Sequence, residues 1–284
     1  MNLEIRVLQT PTNTGIFNTA VDVVIQKAVA QKISPPTILY TNWEPTVSIG
    51  YAQKCDADVD LAICEKENVH LVRRKSGGQA VYLDEEYIVY SVIAPRALFP
   101  ADVTHLRKIF CEVIASALQQ HGVPASYYTP DNIVINEKDK IRQIGNSGQL
   151  IGKDAVLIHG SIRYARNNLH RLVNVLKING NPLHVYEDKI KNALASVDQF
   201  SGVSKSDLTH TLTQSFATYL GGIATTGDFT AYEKSQLVDI KDYVLSIADE
   251  PHFSPKGVCY LFLNGKNIVP ELIPLLEYNR PSGT

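Results

Sequence analysis

The chain predicts an α/β (α+β) protein: a mixed β-sheet covered by helices, followed by a short C-terminal appendage. Three observations carry this. Strand-like and helical runs alternate without strict βαβ regularity, and several strands are joined by short turns. The segment Asp102–His121 carries an amphipathic stripe of Leu106, Ile109, Phe110, Val113, Ile114 and Leu118. After Pro251 the texture changes to two short apolar runs around Asn264-Gly265, a type I′ hairpin signal. The main domain is expected over 1–248 and the appendage over 249–284.

Taken in order, Leu3–Leu8 alternates as a first strand. Asn18-Thr19-Ala20-Val21-Asp22 opens a helix to about Gln31, with Ala20, Val24 and Ala28 on one face. Thr37–Asn42 is a strand, and Glu44–Tyr51 a turn and a further strand. Asp58–Asn68 is helical. The run Val69–Val72 leads through Arg73-Arg74-Lys75-Ser76-Gly77-Gly78-Gln79 into a second apolar run, Ala80–Ile93. Gly122 is placed to end the 102–121 helix. Ile133–Ile135 is a short strand, Asn136–Lys140 a polar turn and Ile144–Gln149 a small-residue loop. Val156–Ile162 is a buried strand interrupted by Gly160. Asn168–Leu176, Lys189–Ala195 and Lys205–Leu220 are helical, and Glu233–Ile247 more weakly so.

The glycine element is the centre of the chain. Paired glycines let backbone N–H groups approach a ligand, and successive N–H groups cradle an anion. Two arginines beside it supply planar cationic forks suited to phosphate or carboxylate. Composition alone favours a hairpin turn beside solvated arginines. The element lacks the P-loop lysine and the dinucleotide-binding glycine spacing. A net charge of −2 gives no global basic excess for nucleic acid, so an anion site must be local. No apolar run is long enough to span a bilayer, and the N-terminus lacks a signal-peptide pattern. Cys55, Cys64, Cys111 and Cys259 form no CxxC pair and read as reduced thiols of a cytoplasmic protein. No metal site stands out among the histidines.

Four ordered segments resemble the lipoate–protein ligase and octanoyltransferase family, related in fold to biotin protein ligases. They are Asn18–Asp22, Glu44-Pro45-Thr46-Val47-Ser48-Ile49-Gly50-Tyr51-Ala52-Gln53, the glycine element through Tyr82, and Lys153-Asp154 with His159-Gly160-Ser161. The resemblance covers about the first 230 residues. It implies ATP-dependent activation of lipoate to an acyl-adenylate, with Mg²⁺, and transfer to a lysine of a lipoyl domain. Acceptors would be glycine-cleavage H-protein-like or 2-oxoacid-dehydrogenase E2-like. It implies that Arg73, Arg74, Ser76, Gly77, Gly78, Gln79, Ala80, Val81, Tyr82, Asn132, His159 and Gly160 bind nucleotide and acyl-adenylate. Val47, Ile49, Val72 and Leu157 are candidates for an acyl slot.

The departures are as informative. The family carries a lysine where this chain has Gln143, within Arg142-Gln143-Ile144-Gly145-Asn146-Ser147-Gly148. A glutamine donates a hydrogen bond to an oxyanion but supplies no charge, a loss of about 3 kcal/mol or more at a developing anion. Asp131-Asn132 stands where the family has Asn-Asp, and a one-residue shift on a strand moves a side chain to the other face. Three readings stay open: Lys153 or Lys140 reaches the site, Gln143 is a trapping substitution, or the chain binds acyl-adenylate but transfers it poorly, as a carrier or partner subunit. The roughly 35 residues after Asp249 are too few for the accessory domain of ATP-using ligases, so a separate accessory subunit is a candidate partner. The family's single-domain acyltransferases carry the acyl group on cysteine, and none of the four cysteines lies in a loop suited to that. Acyl transfer to lipoyl domains, or non-catalytic binding of lipoyl-adenylate or lipoyl domains, is the alternative to the ligase.

Overall fold

The computed structural model describes residues 3–137, 140–178, 180–238 and 240, together with the backbone of 262–263 and 266–267. Strand β1 (Leu3–Asn13) leads to helix α1 (Gly15–Ala30), whose start is capped by Thr14 Oγ1 accepting from Phe17 N. Strands β2 (Thr37–Trp43) and β3 (Thr46–Ile49) follow, then short helices α2 (Cys55–Asp58) and α3 (Leu61–Lys66). Next come β4 (His70–Arg73), β5 (Val81–Leu83) and β6 (Tyr87–Pro95). Helix α4 (Leu106–Gln119) precedes β7 (Ala125–Tyr128), β8 (Asn132–Glu137), β9 (Lys140–Ile151) and β10 (Ala155–Arg163). Helix α5 (Leu169–Val175), the pair β11 (Lys177–Ile178) and β12 (Asn181–Pro182), and α6 (Glu187–Ala193) lead to α7 (Lys205–Leu220). Strand β13 (Gly222–Thr226) and α8 (Ala231–Gln236) close the domain. Strands β14 (Phe262–Leu263) and β15 (Lys266–Asn267) pair antiparallel, in the register expected of the Asn264-Gly265 hairpin.

One eight-stranded sheet runs β13-β1-β2-β6-β10-β9-β8-β7, and a three-stranded sheet runs β4-β3-β5. The large sheet is mixed: β1 lies parallel to β2 and β13, and the strands from β2 to β7 pair antiparallel. Its two faces bury different partners, as period-2 alternation requires. Ile38, Tyr90, Val92, Ile158 and Ile162 pack with Phe110, Ile114 and Leu118 of α4 and Leu212 and Phe216 of α7. On the other face Leu39, Ile93 and Leu157 meet Val21, Ile25 and Val29 of α1. Beside α1, the small sheet joins that face through Val47, Ile49, Val72 and Tyr82 against Tyr87 and Val89.

Three expectations need correction. The glycine element is not a hairpin: β4 and β5 flank β3 on opposite sides, so it crosses over rather than turns back. The run Ala80–Ile93 is two strands in two sheets, broken at Asp84–Glu86. Residues 144–149 are not a loop but the middle of β9, paired with β8 and β10. The domain also extends past α7. Arg6 of β1 donates to both carboxylate oxygens of buried Glu233 at 2.6 and 2.8 Å, and Ser34 adds a bond at 2.7 Å. Burial alone would raise the Glu233 carboxyl, but these donors and the Arg6 charge hold it below its ordinary value. The 248/249 boundary and the later part of the Glu233–Ile247 helix lie outside the described residues.

Gly160 is closely packed in the large sheet. A Cβ there would stand 2.1 Å from the Asn146 carbonyl oxygen and 2.4 Å from Tyr90 Oη. Tyr90 Oη donates to that carbonyl at 3.0 Å, so the strand cannot shift without losing the bond. Gly160→Ala is expected to destabilise the domain by about 1–3 kcal/mol, the range of an overpacked core. An unchanged thermal midpoint would contradict this close packing.

Candidate active site

The two arginines of the glycine element turn inward. Arg73 Nη1 donates to the carbonyls of Gly50, Tyr51 and Gln53 at 3.3, 3.1 and 2.7 Å. Arg74 Nη1 donates to Ser48 O at 2.6 Å, and its Nη2 to Gly77 O and Gln79 O at 2.9 and 2.7 Å. Desolvation lowers the Arg74 guanidinium to about 10, which leaves it charged at neutral pH. The forks therefore clamp two loops, 48–53 and 77–79, rather than standing open to an anion. Gln53 completes the clamp: its Oε1 accepts from Gly50 N at 2.9 Å and its Nε2 donates to Asp58 at 2.8 Å. Burial pushes the Asp58 carboxyl up to about 6. Gly50 lets the loops touch, since a Cβ there would meet Gly78 O at 2.1 Å. Gly77 and Gly78 are exposed at the crossover, Gln79, Ala80 and Val81 are half-buried, and Tyr82 is buried among the small sheet's side chains. Buried Ser76 Oγ has no hydrogen-bond partner among the described residues.

A polar row crosses the α1 face of the large sheet. Register places Ser91 beside His159, Ser161 beside Asn146, and Asn146 beside Asn132, with all five side chains on one face. His159 Nδ1 lies 3.2 Å from Asp22 Oδ2, and Ser91 Oγ donates to Asp22 Oδ1 at 2.6 Å. At the far end, Gln143 Nε2 donates to Asn132 Oδ1 at 2.5 Å. A register shift between Ile133 and Val134 brings these two amides together, and Ala195 N fixes the Gln143 carbonyl at 2.8 Å. Asp131 points the other way, to Arg107 of α4 at 2.9 Å. Burial raises its carboxyl, against the lowering effect of Arg107. The one-residue shift thus leaves a neutral Gln143–Asn132 pair at the position where the resemblance puts a lysine and a carboxylate.

Some expected residues lie apart. Lys153 sits exposed in the β9–β10 turn. At about 3.4 Å per residue it stands roughly 30 Å along the sheet from Gln143. Leu157 belongs to the α1 cluster, whereas Val47, Ile49 and Val72 share the small-sheet cluster. Cys64 and Cys111 are buried and Cys55 is half-buried. Burial raises all three thiols, Cys64 to about 11. Asp22 and Asn146 lie within the segments Asn18–Asp22 and Arg142–Gly148, whereas Ser91 carries no motif signal of its own. The signal available for Ser91 is a polar residue inside the apolar β6 run.

The mixed sheet, the crossover clamped by paired arginines and the polar face beneath α1 carry the motifs that resemble the lipoate–protein ligase and octanoyltransferase family. Residues 14–217 match the lipoyl protein ligase A/B catalytic domain, and the chain belongs to that family. It is similar to an octanoyltransferase LipM of Kyrpidia tusciae, 27% identical over 260 residues, covering 81% of this chain and 92% of that one. A LipM of Macrococcus caseolyticus is 30% identical over 177 residues, 55% of this chain and 64% of that one. Among solved structures it resembles the bi-partite lipoate protein ligase of Thermoplasma acidophilum, described with its E2 lipoyl domain. The TM-score is 0.74 at 25% identity, over 84% of this chain and 92% of that one. The two LipM relatives, both octanoyltransferases, overturn the expectation of an ATP-dependent lipoate–protein ligase. No helix among the described residues is long and apolar enough to cross a membrane.

Proposed function

We propose that this chain moves an octanoyl-class acyl group from an activated donor to the lysine of a lipoyl domain. The observation that carries this is the inward turn of Arg73 and Arg74. Their forks are engaged by backbone carbonyls, so the glycine element organises a binding wall instead of offsetting a triphosphate. Without ATP the acyl group must arrive already activated, as a thioester. The lysine nitrogen then attacks the thioester carbon, the C–S bond breaks, the amide forms, the thiol departs and the amine loses its proton. Gln143 gives one N–H to Asn132 and keeps the second for the acyl carbonyl as negative charge develops there. Its ligand side is neutral, so stabilisation is weaker than from an ammonium. No described cysteine lies in the glycine element or the polar row, which favours direct transfer over an enzyme-bound thioester.

The test is the intact mass of an E2-type lipoyl domain incubated with this protein and an octanoyl thioester, without ATP. A mass gain that survives iodoacetamide treatment of the protein is the expected result. A gain that requires ATP, or that iodoacetamide abolishes, would refute the mechanism. The neutral pair also favours a second reading, binding without turnover. It predicts a saturable complex with octanoyl thioester and no mass gain.

A further inference from the structure

Asn146 stands in the middle of the polar row, on β9 between Asn132 of β8 and Ser161 of β10. Its neighbours orient its side-chain amide. Oδ1 lies 3.4 Å from Ser161 N and 3.5 Å from Ser161 Oγ. A backbone N–H only donates, so the amide oxygen faces Ser161 and Nδ2 points away from it. Asn146 is half-buried, and its Nδ2 has no hydrogen-bond partner among the described residues. The backbone beneath it is held firmly. Tyr90 Oη donates to Asn146 O at 3.0 Å, Gly160 lets that oxygen sit close to β10, and Ser147 N donates to Asp131 O at 3.0 Å. Asn132 lies directly opposite Asn146, a pairing that sets Cβ atoms about 4.5–5.5 Å apart. Asn132 Oδ1 is occupied by Gln143 Nε2. Gln143 and Asn146 thus flank one short amide on the α1 face, each with a side-chain N–H to spare.

We infer that Asn146 is a catalytic residue, a second hydrogen-bond donor to the acyl carbonyl oxygen beside Gln143. The inference rests on the acyl-transfer reading above. As the lysine nitrogen adds to the thioester carbon, the carbonyl oxygen takes up negative charge, which it gives back when the C–S bond breaks. One neutral amide answers that charge less well than an ammonium. Two amides aimed at the same oxygen recover part of the difference without burying a charge. Donors already in place cost no reorganisation as the charge develops. Ser161, Tyr90 and Gly160 supply that preorganisation, the first by turning the amide and the other two by fixing the strand that carries it.

The experiment follows single-turnover transfer from an octanoyl thioester to an E2-type lipoyl domain by the full chain and two variants, over a range of thioester concentrations. Asn146→Asp keeps an acceptor for Ser161 and removes both donors. Its rate constant at saturating thioester is expected to fall about 100-fold or more. The thioester concentration giving half the maximal rate should stay as in the parent, since the contact strengthens only as charge develops. Asn146→Ala adds no charge and is expected to lose rate in the same way. Denaturant unfolding is read on all three proteins and should hold for Asn146→Asp. Parent-like rate constants in both variants would overturn the assignment while leaving the acyl-transfer reading intact. A loss confined to Asn146→Asp would mark repulsion by the new charge and overturn it equally. So would a fall in rate matched by weaker thioester binding and a lower unfolding midpoint, the pattern of a purely structural residue. No transfer by the parent chain would overturn the acyl-transfer reading and this assignment with it.

Discussion

The paired variant Gln143→Lys/Asn132→Asp is expected to accelerate acyl transfer about 100-fold or more over the parent. The donor proposed to face the acyl carbonyl, Gln143, is a neutral amide whose partner is another amide at 2.5 Å. An ammonium in its place would add a charge-assisted contact to the developing oxyanion, an effect of about 3 kcal/mol or more. The two changes belong together. Asn132 is buried, so Asn132→Asp alone places a carboxylate in a confined site with only an amide to answer it. Gln143→Lys alone places an ammonium beside a neutral carbonyl and is expected to recover only part of the gain. Single-turnover rates with octanoyl thioester and a lipoyl domain decide the matter. Equal rates in the parent and the paired variant would show that position 143 does not face the reacting carbonyl.

Arg74→Ala is expected to unfold the site rather than merely weaken a ligand contact. The guanidinium serves the Ser48, Gly77 and Gln79 carbonyls at once. Two of these carbonyls belong to non-exposed residues, and each unsatisfied buried acceptor costs about 1–3 kcal/mol. A loss of about 2–4 kcal/mol follows, read by denaturant unfolding, together with loss of octanoyl-thioester binding. Arg74→Lys keeps the charge but not the fork, and should fall between. A residue whose work is to grip a phosphate would behave differently. Its removal would leave unfolding unchanged and affect nucleotide affinity alone.

Locally determined features were readable from residues. Helix α7 runs over Lys205–Leu220, as its pattern predicts, because both ends are set by neighbours in sequence. Ser204 caps the start by accepting from Asp207 N, and Gly221 ends it at φ +73°. The stripe of α4 likewise placed Phe110, Ile114 and Leu118 in the core. The helix begins at Leu106 rather than Asp102, because the Asp102 side chain binds Thr104 N at 2.8 Å and forms a turn there. The motif segments are spread over several elements: Arg73–Tyr82 spans the crossover between β4 and β5, Gln143 lies on β9 and His159-Gly160 on β10.

What the sequence by itself determined is the family of the chain, the helix ends set by caps, and the absence of a charge at position 143. Tertiary structure alone decided the rest, because it depends on partners distant in sequence. Whether Gly77-Gly78 turns back or crosses over depends on β3, whose pairing with both β4 and β5 is invisible in the dipeptide. Whether 144–149 is loop or strand depends on β8 and β10, which supply hydrogen bonds that the segment's own polar composition does not suggest. Whether Arg74 faces an anion or a carbonyl depends on where Ser48 lies, 26 residues away in sequence. The same residue types permit either outcome, and only the nonlocal pairing of strands selects one.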